Sequence, residues 1–186
     1  MTFNKAVAAV LVALPALAHA QATAPASAQP NPRPDWAGTW QGTLVNLPLR
    51  AGAPVVTVRA EIGPWPTGNQ GCALWRRTYT SSAHPAQVKD YRLCRGAGED
   101  EWVVDEGDGV KLPGRLIGDV LVTPFKYGKL ILHTTTRLRG DTLEEEIFTV
   151  DDKPAEEGPL ALNARGIQRM TFKRTRLERD GLNGTP

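Results

Sequence analysis

The sequence predicts an all-β protein, an antiparallel up-and-down meander barrel of about 8–10 strands with at most one short helix before the last strand. Three observations support this prediction. Helical periodicity is almost absent. Short β-rich runs recur about every 8–12 residues and are separated by Gly, Pro, Asn and Asp. Two hairpin registers, chosen separately, select the same face of the strand that they share, and a one-residue slip would reverse that face.

The strand predictions follow these runs, and the only plausible helix is a turn or two around residues 160–164. Strands are expected near residues 38–47, 55–62, 72–80, 87–94, 101–105, 115–126, 129–138, 142–150 and 166–175.

The first residues have the three parts of a secretory signal peptide. Lys5 precedes an apolar run over residues 6–17, and Ala18-His19-Ala20 is a small-x-small cleavage site. The apolar run is too short to span a bilayer. The sequence therefore predicts a periplasmic or secreted protein, cleaved after Ala20, with no membrane span.

The rest of the chain divides by composition into a linker, one domain and a tail. The linker is rich in alanine and proline and is expected to be disordered, because it has little to bury. The predicted segments are the signal peptide at 1–20, the linker at 21–34, a β-barrel domain at 35–176 and a flexible tail at 177–186.

Charge and cysteine content narrow the function classes. The formal net charge is only +2, which gives no electrostatic reason to expect nucleic-acid binding. In an exported chain Cys72 and Cys94 are expected to form a disulfide. A metal site at this pair would need His84 or His133, and no zinc-ligand spacing is present. No cofactor is indicated.

The two cysteines set the strand register of the first hairpin. If Cys72 faces Cys94, Trp75 faces Tyr91 on the inner side and Arg76 faces Asp90 on the outer side.

The second and third hairpins share one strand and turn at Gly128-Lys129 and Gly140-Asp141. The second pairs Phe125 with Leu132, Thr123 with Thr134 and Leu121 with Thr136. The third pairs Leu138 with Leu143, Thr136 with Glu145 and Thr134 with Ile147. On the outer face, Pro124 cannot donate a hydrogen bond to the sheet and indicates a bulge or an edge.

The inner faces of these hairpins supply the candidate ligand-binding residues. Their mixture of apolar groups, hydroxyls and charges suits a hollow barrel that holds a ligand, although a solid core is the alternative. The candidates are Trp75, Arg77, Tyr91, Leu121, Thr123, Phe125, Leu132, Thr134, Thr136, Glu145 and Ile147.

Gly38-Thr39-Trp40, at the start of the first strand, resembles the G-x-W signature of the calycins, the lipocalins and their relatives. The resemblance implies a closed barrel in which an Arg on the last strand packs over the Trp. Arg174 occupies that place if Met170 and Phe172 point inward.

The same opening, Gly38-Thr39-Trp40-Gln41-Gly42, is also similar to nitrobindin-like haem barrels. That resemblance implies a haem-ligating His shortly before the last strand. Residues 158–165 contain no His, so haem binding is not expected.

Together these features predict an exported barrel that binds a small, partly apolar ligand in its lumen. One alternative is an envelope interaction module or hydrolase inhibitor that acts through its rim loops, where Trp65 between two prolines is either an exposed anchor or a lid. A third possibility is an enzyme that uses Glu145 as an acid or base. No catalytic residues are otherwise indicated, and charges such as Arg137 and Glu144 on the outer faces argue against a membrane barrel.

Overall fold

The computed structural model describes residues 33–67, 71–154 and 157–175, which form a closed barrel of ten antiparallel strands. Each strand pairs with the next along the chain, and the last pairs with the first, so the predicted meander barrel is confirmed. The strands are β1 Gly38–Leu47, β2 Val56–Ile62, β3 Cys72–Ser81, β4 Gln87–Arg95, β5 Glu101–Gly107, β6 Val110–Ile117, β7 Val120–Tyr127, β8 Leu130–Arg139, β9 Thr142–Asp151 and β10 Ala164–Arg174. The predicted signal peptide and tail, and nearly all of the predicted linker, lie outside the described residues.

One expected strand is in fact two. The region predicted as a single strand at 115–126 is divided by the two-residue turn Gly118-Asp119 into β6 and β7, and Ile117 pairs with Val120 across it. Gly118 has a φ of 63°, which suits a tight hairpin turn. The prediction missed this turn because apolar residues continue on both sides of it.

The one place where the sequence made a short helix plausible does not form one. Residues 157–163 contain no helix, and β10 begins at Ala164. The carbonyl of Asn163 accepts a hydrogen bond from the Asp151 N–H, at 3.0 Å, which continues the sheet instead. So short an apolar run gives too few hydrogen bonds to offset helix nucleation. No helix in the described residues is long and apolar enough to cross a membrane.

The hairpin registers are confirmed. Trp75 pairs with Tyr91, and Cys72 lies opposite Cys94, to which it is disulfide-bonded. The two hairpins that share β8 also have the predicted pairs, such as Phe125 with Leu132. These registers place the candidate residues on the inner face of the barrel wall.

The seam between β6 and β7 ends where the sequence places proline on both strands. Pairing stops at Arg115 and Val122, and the next position that would exchange two N–H···O bonds joins Pro113 to Pro124. Neither proline has an N–H to donate. Pro124 still pairs in register with His133 of β8, so the missing donor faces only the β6 side. Pro124 therefore lies where the pairing of β6 and β7 ends, within a barrel that is otherwise closed.

One end of the barrel, where β1 begins and β10 ends, is filled by aromatic rings. The ring centroid of Trp36 lies 4.9 Å from that of Trp65 and 5.7 Å from that of Trp75, and Trp65 lies 4.6 Å from Trp102. The Trp65 Nε1 donates to the carbonyl of Pro34 at 2.7 Å. Trp65 is half-buried and packs on this cluster. Of the two expected roles, exposed anchor or lid, its position is that of a lid over this end of the barrel. We call this the closed end.

The contact between the first and last strands that the calycin resemblance implies is present at the closed end. The Arg174 guanidinium carbon lies 4.5 Å from the centroid of the fully buried Trp40 ring. Arg174 also donates to the carbonyls of Ala37 and Asp35, each at 2.7 Å. These contacts attach the segment that precedes β1 to the end of β10.

Replacing Cys72 and Cys94 by serine is expected to lower the free energy of unfolding by roughly 3 kcal/mol, because the disulfide closes a loop of sequence separation 22. Urea unfolding of the double variant and of the oxidised wild type measures the difference. Thiol-reduced wild type is the matched control and should unfold at a similar urea concentration. Equal stability of the oxidised wild type and the double variant would contradict the expectation.

Candidate functional site

The half of the barrel nearest the closed end is solid. Inward-facing side chains from most of the strands fill it. In this half the lumen is a solid core and not a hollow site. Its fully or almost fully buried members include Trp40, Val58, Ala60, Trp75, Leu121, Leu143, Met170 and Phe172.

A charged pair crosses the lumen within this solid part. The Arg77 Nη2 donates to Glu145 Oε2 at 2.8 Å, and Arg77 and Glu145 are only 2% and 7% exposed. The Thr136 hydroxyl lies 3.4 Å from the same carboxylate oxygen. The Arg77 guanidinium also lies 4.6 Å from the Trp75 ring centroid. Glu145 is thus buried and charge-paired with Arg77.

The opposite end, where β1 ends and β10 begins, is open. It holds a cavity of about 890 Å³, within the range of small-molecule sites. We call this the open-end cavity. Its apolar wall includes Leu44, Leu130 and Leu132. Neutral polar groups on the wall include Asn46, Thr149 and Gln168, so the cavity combines apolar contact with hydrogen-bonding capacity.

The structure separates the candidate ligand-binding residues into three groups. Leu132 lies on the wall of the open-end cavity. Four candidates are half-buried and do not line that cavity: Tyr91, Phe125, Thr134 and Ile147. Six are buried in the solid part: Trp75, Arg77, Leu121, Thr123, Thr136 and Glu145.

Sequence reasoning missed the wall formed by β1, β10 and the loop between β1 and β2. The loop, residues 48–55, has Leu49 75% and Val55 72% exposed beside the cavity. Gly166 lets β10 approach β1 closely, because a Cβ there would lie 2.5 Å from the Leu47 carbonyl oxygen. An apolar loop bounded by Pro48 and Pro54 was the available signal, but no periodicity connects it to the lumen.

Within the described ranges, no three His, Cys, Asp or Glu residues cluster in a way that could hold a metal ion. His133 is exposed on the outer face of β8, opposite Pro124 and Phe148, as its register predicted.

Two tyrosines on β3 and β4 have perturbed acidity. Burial raises the pKa of Tyr79, and the nearby Glu145 carboxylate adds to the effect. Burial also raises the pKa of Tyr91 to about 12, with further contributions from the Glu106 carboxylate. Both effects favour the neutral phenol in the folded protein.

The raised pKa values predict a loss of stability in alkali. The unfolded chain releases these protons near pH 10.0, before the folded chain does. The stability that the two protonated phenols contribute is therefore fully present below that pH and is lost as the pH rises toward about 12. Tyr79→Phe should make this fall less steep, which urea unfolding between pH 9 and 11.5 measures. A wild-type slope in Tyr79→Phe would contradict the assignment.

Comparison of the chain with protein-family models, with curated proteins and with solved structures found no match. The closed ten-stranded barrel is compatible with a calycin-like fold. No family or homologue supports the more specific likeness to nitrobindin-like barrels.

Proposed function

We propose that this protein binds a small, partly apolar molecule in the open-end cavity. The observation that carries the proposal is the asymmetry of the barrel, which is solid and aromatic at one end and hollow at the other. A barrel that served only as a stable scaffold would gain from filling both halves, because each unfilled volume loses packing contacts.

The chemistry of the cavity wall supports a ligand with both apolar and polar parts. Leu44, Leu130 and Leu132 offer apolar surface, and Thr149 and Gln168 offer hydrogen bonds. Ligand sites commonly combine a predominantly apolar lining with a few polar groups that orient the molecule.

Leu132→Trp tests the site, because the larger ring would occupy part of the open-end cavity. We expect at least a tenfold weaker binding of the fluorescent, uncharged probe N-phenyl-1-naphthylamine, measured by titration. His133→Trp is the matched control, since it adds the same ring at the next position but on the exposed outer face. The control should bind the probe as the wild type does.

Thermal unfolding of both variants shows whether each of them still folds. If Leu132→Trp remains folded and binds the probe with wild-type affinity, the cavity is not the binding site. If both variants lose binding equally, the effect is not specific to the lumen and the proposal also fails.

We also propose that the protein is exported. The support is the signal-like sequence of residues 1–20 together with the Cys72–Cys94 disulfide, which persists in oxidising compartments. Mass measurement of the mature protein tests this, and the expected chain begins at Gln21. A chain that retains its first twenty residues would contradict it.

An interaction role is the second candidate, and one observation favours it. Leu49, Val55 and Tyr127 are all more than 70% exposed at the open end, where they could contact a protein partner. Trp65, the anchor first considered, packs on the closed-end cluster instead. A partner that binds Leu132→Trp normally but not Tyr127→Ser would support this role over ligand binding.

A further inference from the structure

The charged side chains on the wall of the open-end cavity are both arginines. Arg50 comes from the loop after β1, and Arg165 is the second residue of β10. No Asp or Glu among the described residues lines this cavity. Its wall therefore carries positive charge beside a largely apolar surface.

The two arginines differ in how their charge is used. The Arg165 Nε donates to Asp151 Oδ1, and this bond holds the pKa of the Asp151 carboxyl below its usual range. Among the described residues, Arg50 has no carboxylate oxygen within 4.0 Å. Of the two arginines on this wall, Arg50 is thus the one whose guanidinium can pair with the anionic group of a ligand.

The backbone holds Arg50 at the rim in a defined turn. The Ala53 N–H donates to the Arg50 carbonyl at 3.2 Å, which closes a four-residue turn. Gly52 occupies its third position with a φ of 74°, the conformation that a type II turn requires there. The neighbouring Leu49 is exposed at the same rim, so the cation adjoins apolar surface.

From this arrangement we infer that the ligand is an amphipathic anion, with its apolar body in the open-end cavity and its anionic group on Arg50. The inference rests on the proposed function and adds the chemical class. A planar guanidinium suits a carboxylate or a phosphate because it can donate two parallel hydrogen bonds. Leu44 and Leu132 lie on the wall that the apolar body would contact.

Two probes with the same body and different heads test this inference: 11-(dansylamino)undecanoic acid and its methyl ester. For the wild type at low salt, the acid should bind with a Kd at least fivefold below that of the ester. Added salt should shrink this preference, because an exposed charge contact is screened over about 10 Å at 0.1 M. Competition by dodecanoate and by dodecyl phosphate then distinguishes a carboxylate from a phosphate head.

Arg50→Gln should remove the preference for the acid while leaving the Kd of the ester unchanged, and Arg50→Lys should restore part of it. Lys129→Gln is the matched control, since it removes one positive charge from the β7–β8 turn at the same end but not from the cavity wall. Loss of the preference in Lys129→Gln to the same extent would overturn the assignment to Arg50.

The outcomes separate this inference from the proposed function. If the acid and the ester bind equally, and both are lost in Leu132→Trp, the cavity binds ligands but the anionic class is wrong. If neither probe binds the folded wild type, the proposed function fails and the inference fails with it.

Discussion

Arg77→Ala is expected to lower the free energy of unfolding by about 3–5 kcal/mol, because it leaves the Glu145 carboxylate buried without its counter-charge. The 2.8 Å bond between Arg77 and Glu145 joins residues that are 68 positions apart in the chain. Removing one partner costs far more than the pair itself contributes, since a buried charge must then be accommodated alone. Urea unfolding measures the change.

Arg76→Ala is the matched control for this prediction. Arg76 is the preceding residue of β3 and faces outward, where it pairs with Asp90 at 3.0 Å in an exposed position. Its loss should lower stability far less than Arg77→Ala does, because water screens an exposed ion pair. Replacing the buried pair together, as Arg77→Met with Glu145→Leu, should recover most of the stability because no charge remains buried. Equal effects of Arg76→Ala and Arg77→Ala would contradict a buried ion pair.

Trp40→Ala is expected to lower the free energy of unfolding by about 3–5 kcal/mol, because it removes a large, fully buried ring from the solid half of the barrel. The change also removes the hydrogen bond from Trp40 Nε1 to the Trp36 carbonyl, which is 2.9 Å long, and the surface on which Arg174 packs. Thermal or urea unfolding of the variant measures the effect.

A double-mutant cycle isolates the contact between these two side chains. It compares Trp40→Ala, Arg174→Ala and the variant that carries both changes. The coupling should be about 1 kcal/mol, the usual magnitude for a cation–π pair. Leu49→Ala is the control for Trp40→Ala, because Leu49 is 75% exposed and its loss should change stability little. A small cost for Trp40→Ala would mean that the closed end contributes little to stability.

The hairpins could be predicted because each depends on local rules. The two-residue period fixes which side chains share a face, and the turns Gly128-Lys129 and Gly140-Asp141 fix the register. The facing cysteines did the same for β3 and β4. The contact of Arg174 with Trp40 was implied by a family resemblance rather than by local pattern.

The division of the lumen into a solid and a hollow half could not be predicted in the same way. It depends on how side chains from distant strands meet, as Arg77 of β3 meets Glu145 of β9 across the barrel. Alternation shows that a residue points inward but not how deep it lies along the axis. The sequence therefore identified Leu132 and Arg77 equally as lining residues, although only Leu132 reaches the open-end cavity.

The loop at the open end was missed for a related reason. Residues 48–55 follow no strand period, and their relation to the lumen arises only when the barrel closes between β1 and β10. The turn at Gly118-Asp119 was missed because apolar residues flank it on both strands. In both cases the deciding interaction lies outside the local pattern.

The measurement that tests ligand binding most directly is native mass spectrometry of the protein purified from its producing cells without denaturation, compared with the denatured mass. We expect a non-covalent adduct that is released on denaturation and is absent from Leu132→Trp but present in His133→Trp. An adduct of equal abundance in all three proteins, or a bare wild-type protein that also fails to bind added amphipathic probes, would contradict a ligand site in the open-end cavity.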